Sequence, residues 1–286
     1  MTHVTKPMHH PGIRIPAKAC DCHIHFYDDR FPASPDAKLR PSNASISQYI
    51  KLQSYIGMER AVLVTPSTYG TDNRCMLEGL QAMGDRARGV AVIDGSEDDA
   101  HLAMLHEAGV RGVRLNLSLG VVGKIEWLNM LSQRIAPLGW HIQILMAPDQ
   151  LAQHEVALHH LPVQIVFDHF ARISPAMAYK HPAHRIVLDL LRERKAWVKV
   201  SGGYIVSDEH DAEDPNLNVL ARSFIAAASD RVIWGSDWPH ATAMAGHHSM
   251  PDDATQVERL CVWANNEATL YRILVSNPGV LYGFPD

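Results

Sequence analysis

At 286 residues, 47% of them hydrophobic and 20% charged, the chain has the make-up of a globular protein, long enough for one large α/β domain or two modest ones. A net charge of −5 and a pI near 6.4 supply no basic face for nucleic acid. No apolar run approaches the roughly 20 residues that span a bilayer, and the opening "MTHVTKPMHHPG" lacks the apolar core of a secretory signal, so a cytoplasmic protein without membrane attachment is expected.

Residues 1–17 read as a mobile, Pro-containing leader in which His9 and His10 are surface residues; residues 18–286 read as one folded domain. Short β-rich apolar runs then recur at Ala19–His25, Ala61–Thr65, Gly89–Ile93, Val110–Leu117, His141–Met146, Gln164–His169, Trp197–Ser201 and Val232–Asp237. Amphipathic stretches separate them. Ser45 or Ser47 is placed to cap "SISQYIKLQSYIG", Gly109 ends "DDAHLAMLHEAG", and "HRIVLDLLRERK" carries basic residues in its last turn. The acidic stretch Ile205–Asn218, "IVSDEHDAEDPNLN", is expected to form a long loop after the seventh strand, of the kind that serves as a lid. Two further helices, around Asp252–Asn265 and Asn266–Val275, close the chain.

Eight strands alternating with helices, undivided by any linker, fit a single (β/α)8 TIM-type barrel. No GxGxxG or GxxxxGK[ST] loop cradles a nucleotide. Cys20, Cys22, Cys75 and Cys261 show no CxxC spacing and read as reduced thiols.

Chemistry in such a barrel sits at the C-terminal ends of the strands. There the first strand offers His23 and His25, the fourth Arg114 and Asn116, the sixth Asp168 and His169, and the eighth Ser236, Asp237 and His240. Side chains two apart on a strand share a face, so His23 and His25 should enter the barrel mouth while Cys22 and Ile24 face the helices. Each residue has an ordinary alternative: Asp237 as a cap, His169 as a satisfied core histidine, Arg114 in a structural ion pair, His240 as a loop residue. Their joint fall at strand ends is what points to a site.

These residues carry a resemblance. "DCHIH", "FDHFAR" (Phe167–Arg172) and "WGSDWPH" (Trp234–His240), with "PSTYGTDNR", "VKVSGGY" and the closing "NPGVLYGFP", resemble the amidohydrolase superfamily (amidohydrolase-related family 2). The similarity runs from about Ala19 to Pro285 and is to the branch of 2-pyrone-4,6-dicarboxylate lactonase and sugar-lactone hydrolases. It implies a barrel hydrolase acting on a small-molecule lactone. The superfamily's metal-dependent members place a Lys or Glu on the fourth strand and a histidine on the fifth, where this chain has Arg114 and Met146. Catalysis without a metal or other cofactor is therefore the expectation, the alternative being one Zn2+ held by His23, His25, His169 and Asp237.

The resemblance implies that Asp237 takes a proton from water and returns it to the leaving oxygen, while His23, His25 and His169 donate to the carbonyl oxygen. Arg114 and Arg172 are the expected carboxylate binders, and Ser67, Thr71, Asn116, Tyr204 and His240 the expected polar contacts. Tyr204 stands where the pyrone-dicarboxylate enzymes tend to carry more positive charge, which suits a sugar-acid lactone at least as well. Rival readings are a lactone isomerase, in which a substrate hydroxyl replaces water, a metal-dependent decarboxylase, and a non-catalytic binding protein. Homo-oligomerisation is left open.

Overall fold

Each of the eight apolar runs is a strand in the computed structural model, which describes residues 10–118, 124–211 and 213–285. They are β1 (Cys20–Ile24), β2 (Arg60–Val64), β3 (Ala87–Ala91), β4 (Val110–Asn116), β5 (His141–Leu145), β6 (Ile165–Phe167), β7 (Ala196–Val200) and β8 (Val232–Trp234). Every strand pairs in parallel with its neighbour in sequence, in the order β1 to β8. Parallel strands are covered on both faces, which is why they read as continuous apolar runs. The barrel closes beyond the end of β8: Asp237 N–H donates to the His23 carbonyl at 2.9 Å, and His25 N–H to the Trp238 carbonyl at 2.8 Å. Gly235 permits this approach, since a Cβ there would lie 2.7 Å from the His23 nitrogen.

Helix ends follow local chemistry. Ser45, not Ser47, caps the helix Ile46–Ile56 in a reciprocal box with Gln48, and Asp98 and Asp252 cap Asp99–Glu107 and Asp253–Ala264. The acidic stretch is less of a loop than expected, because it starts inside a helical turn, Gly203–Val206, and runs into the helix Leu217–Ala228. Its Ala212 lies outside the described residues, as does His9. His10 stacks on Tyr55 with ring centroids 4.0 Å apart, and Ile13 and Ile15 pack on the core. None of the described helices is long and apolar enough to cross a membrane.

The core has two parts. One lies between strands and helices and includes Ile24, Leu63, Ile142, Leu190 and Phe224. The other gathers Cys20, Cys22, Val62, Val64, Val90, Val166, Trp197 and Ile233 with Tyr282 and Phe284 from the chain's end. Cys22 belongs to this second group and not to the helix-facing one, contrary to simple alternation. The β1–β2 register shifts between Asp21 and Ile24, and this irregularity lets Cys22 and His23 leave the strict two-residue period. All four thiols are free.

After β6 the backbone does something that no periodicity announces. His169, Phe170, Ala171 and Arg172 have φ of 46°, 53°, 55° and 59°, a left-handed turn built without glycine. Such a conformation costs L-residues roughly 1–2 kcal/mol each. Full burial of Phe170, edge-on to Trp263 at 5.7 Å, holds the turn in place. Ala171→Gly should accordingly leave the denaturation midpoint unchanged or raise it, whereas alanine to glycine in a right-handed helix costs about 1 kcal/mol; a loss of that size would contradict strain in the turn.

His141, on β5, is fully enclosed with neither ring nitrogen hydrogen-bonded. Burial, assisted by the charge of Lys199, pushes it down to about 3 from 6.5. The unfolded chain therefore binds a proton between these values that the fold refuses. Stability from this group is complete above pH 6.5 and is lost as pH falls toward 3. In His141→Leu, the slope of unfolding free energy against pH in that window should flatten by up to about 1.4 kcal/mol per pH unit; denaturant titrations at several pH values measure it.

Candidate active site

Asp168, just beyond β6 and fully buried, anchors the floor of the barrel mouth. Its Oδ2 accepts from Arg114 Nε and Gln143 Nε2, both at 3.0 Å, from the neighbouring strands β4 and β5. Its Oδ1 lies 3.2 Å from His23 Nδ1 and 3.4 Å from Lys199 Nζ. Lys199, buried on β7, also donates to Gln143 Oε1 at 2.6 Å and to His23 Nδ1 at 3.2 Å. Burial alone would raise the Asp168 carboxyl, but the charges of Lys199 and Arg114 hold it well below the usual range. Arg114 thus makes the structural ion pair that was open to it, while its side chain still reaches the cavity wall.

These contacts assign the hydrogens above the floor. His25 Nδ1 is 2.7 Å from the Val64 carbonyl, which only accepts, so Nδ1 carries the hydrogen and Nε2 a lone pair. His23 Nε2, 3.2 Å from His25 Nε2, must then donate, and its Nδ1 accepts from Lys199. Burial favours neutral rings, driving His23 well down and His25 to about 4. His23 does not line the cavity, and the His25 Nε2 lone pair is taken by the His23 hydrogen, so neither ring offers the cavity the expected donor. His169 Nδ1 meets Ser201 Oγ at 3.0 Å, and with that hydroxyl donating, His169 keeps an Nε2–H for the cavity.

Asp237 follows β8 with φ 69°. Tyr204 donates to its Oδ2 at 2.5 Å. Its Oδ1 faces Nε2 of His23, His25 and His169 at 3.6, 4.0 and 3.7 Å, all beyond hydrogen-bond reach. The cavity above measures about 340 Å³, the size of a small-ligand site. Asp237 is the one carboxylate among its described lining residues, against Lys38, Arg114, Arg172 and the histidines His210, His247 and His248.

Arg172, carried in by the left-handed turn, has no carboxylate partner among the described residues and so keeps its charge for a ligand. Asn116 and Ser67 share the wall, joined by a 2.7 Å hydrogen bond. Three expected contacts are not in the wall. Thr71 is exposed away from it, and Thr68 stands there instead. Tyr204 and His240 are buried behind Asp237: His240 Nδ1 lies 3.4 Å from the Tyr204 hydroxyl and its Nε2 3.1 Å from Asp253 Oδ1. Lys199 and Gln143 were not singled out from the sequence. Their signal was the alternation of His141 and Gln143 with isoleucine in "HIQIL" and a lone lysine among the valines of "WVKVS".

Ligand atoms of His23, His25 and Asp237 lie within 4.8 Å of one another, as do those of His23, Asp168 and His169. Clusters of this kind can hold a metal ion.

The amidohydrolase family model matches residues 20–284. The 2-pyrone-4,6-dicarboxylate hydrolase of Comamonas testosteroni is 34% identical over 285 residues, 95% of this chain and 92% of that one. The D-galactarolactone isomerase of Agrobacterium fabrum is 26% identical over 274 residues, 95% and 93% of the two chains. A crystal structure of a probable 2-pyrone-4,6-dicarboxylic acid hydrolase from Acinetobacter baumannii, with citric acid bound, superposes with a TM-score of 0.80 at 27% identity, covering 93% of this chain and 100% of that one. With its eight-stranded barrel and its strand-end histidines and aspartates, the chain belongs to the amidohydrolase family and is one of its enzymes.

Proposed function

We propose that the protein opens the ring of a carboxylated or sugar-acid lactone by hydrolysis, with Asp237 as the base. The observation that carries this reading is Asp237 Oδ1, which lies in the cavity wall without a direct hydrogen bond while Oδ2 is occupied by Tyr204. Water gives a proton to Oδ1 as its oxygen bonds to the ring carbonyl carbon. Negative charge gathers on the carbonyl oxygen, where His169 Nε2–H and the guanidinium hydrogens that Arg114 does not spend on Asp168 supply donors. The ring C–O bond then breaks and Asp237 returns its proton to the leaving oxygen. The product is an open-chain hydroxy acid. Loss of one such donor costs about 10²- to 10³-fold in rate.

The surplus of cationic and imidazole groups over one carboxylate favours an anionic ligand, and Arg172 is suited to hold a carboxylate in bidentate fashion. Citric acid in the related Acinetobacter protein is in keeping with that preference. A divalent ion fits the donor set poorly. The Lys199 ammonium on His23 Nδ1 puts the ring hydrogen on the very nitrogen that would ligate, and Arg114 adds a second cation beside it. Isomerisation, the activity named for the Agrobacterium relative, would use the same base on a substrate hydroxyl and release no net proton.

Asparagine tolerates positive φ, so Asp237→Asn should fold normally and lose about 10²- to 10⁴-fold in hydrolysis. Proton release from 2-pyrone-4,6-dicarboxylate, a galactarolactone and other sugar-acid lactones measures it; unchanged turnover would remove Asp237 from the mechanism. Exhaustive chelation should leave the rate intact, with elemental analysis finding no stoichiometric metal. Activity lost on chelation and regained with zinc would overturn the metal-free reading.

A further inference from the structure

Behind Asp237 runs a chain of side chains that are not themselves part of the cavity lining. Tyr204 sits on the turn after β7, His240 in the loop after β8, and Asp253 in the first turn of the helix Asp253–Ala264. The 2.5, 3.4 and 3.1 Å contacts from Asp237 Oδ2 through Tyr204 and His240 to Asp253 Oδ1 join these three elements. Hydrogen positions along it are determined. Burial raises the Tyr204 phenol well above its ordinary value, so it stays protonated and donates to Asp237. Its oxygen then offers only lone pairs to His240 Nδ1, and Asp253 offers a carboxylate oxygen to Nε2. A doubly protonated His240 satisfies both; burial alone would lower this ring, and the charge and hydrogen bond of Asp253 together with the charges of Asp237 and Asp21 raise it above its ordinary value.

The backbone shows why Asp237 needs such support. Asp237 and His240 both hold φ in the left-handed region, at 69° and 65°. Three imidazoles surround Oδ1 without bonding it, so among the described residues the Tyr204 hydroxyl supplies the hydrogen bond that orients the carboxylate. Gly202, at φ 57°, brings the Tyr204 turn against the site: a Cβ there would stand 2.8 Å from His169 Nδ1.

We propose that Asp253, His240 and Tyr204 form a positioning chain that fixes the Asp237 carboxylate by Oδ2 and dedicates Oδ1 to the reacting water. This rests on the reading of Asp237 as the base. It replaces the expectation that Tyr204 and His240 contact substrate. A carboxylate that turns freely spends part of its time with neither oxygen aimed at the carbonyl, which lowers turnover without weakening binding.

Crystal structures and steady-state kinetics of Tyr204→Phe, His240→Gln and Asp253→Asn test it, with 2-pyrone-4,6-dicarboxylate and a galactarolactone as probes. Tyr204→Phe should lower kcat about 10- to 100-fold with KM within about twofold, and His240→Gln and Asp253→Asn should give smaller losses of the same kind. In the Tyr204→Phe crystals the Asp237 carboxylate should be rotated or split between two positions. A raised KM with unchanged kcat would make Tyr204 a substrate contact and overturn the proposal. So would an Asp237 that keeps its orientation in Tyr204→Phe. If that variant does not fold, an Asp237 left in place in both His240→Gln and Asp253→Asn overturns it equally. If the wild-type protein hydrolyses neither probe, the lactonase reading fails by itself and the crystallographic outcome still decides the chain.

Discussion

The ionised carboxylate of Asp168, sealed from water at the centre of the barrel mouth, is the constraint around which the site is arranged. An unpaired charge in that position would cost several kcal/mol, and removing a partner from such a set typically costs about 3–5 kcal/mol. Arg114 reaches it from β4 and Lys199 from β7, and Gln143 on β5 bridges Lys199 to the carboxylate. Once Lys199 is held there, its ammonium reaches His23 and sets that ring's tautomer, and His23 in turn occupies the His25 lone pair. A charge pairing two layers below the cavity therefore decides which atoms in the wall donate and which accept.

Above this floor the backbone is strained in three places, at the turn His169–Arg172, at Asp237 and at His240. Each carries a side chain of the site or of its support. Strain of this kind persists only where surrounding structure over-determines it. Here the restraint is the burial of Phe170 against Trp263 and the pair of backbone hydrogen bonds by which the end of β8 closes the barrel onto β1. Closing the barrel and placing Asp237 are consequently one event: the N–H that bonds the His23 carbonyl is that of Asp237 itself.

Much of this was legible in the sequence. Apolar runs at regular intervals gave away all eight strands, because parallel strands buried on both faces leave little choice of residue. Strand ends located His25, His169, Asp237 and Arg114, since a barrel brings those ends together whatever the loops do. Two-residue alternation failed at Cys22, where a register shift breaks the period. Tyr204 and His240 were found but given the wrong neighbours, because sequence shows that a polar residue follows a strand and not whether its hydroxyl or ring faces ligand or another side chain. Thr71 and Thr68 differ by one short turn, below the resolution of any pattern argument. Lys199 was visible as a charge in an apolar strand, but its meaning depends on Asp168, a partner 31 positions away that only the closed barrel supplies.

At the opposite end of the barrel, Tyr282 and Phe284 pack under Cys20, Cys22, Val62 and Trp197, with the guanidinium groups of Arg60 and Arg88 over the Phe284 ring. Residues near the chain's end thereby cover the end of the barrel that lies away from Asp237. Groups that would meet the far portion of a ligand, Lys38, His210, His247 and His248, sit on loops at the rim, while the charge-compensated layer lies on strands. Rim loops can exchange residues without altering the charge balance beneath them. Rim and floor of the cavity are thereby carried by different parts of the chain, loops at the edge and strand ends at the centre.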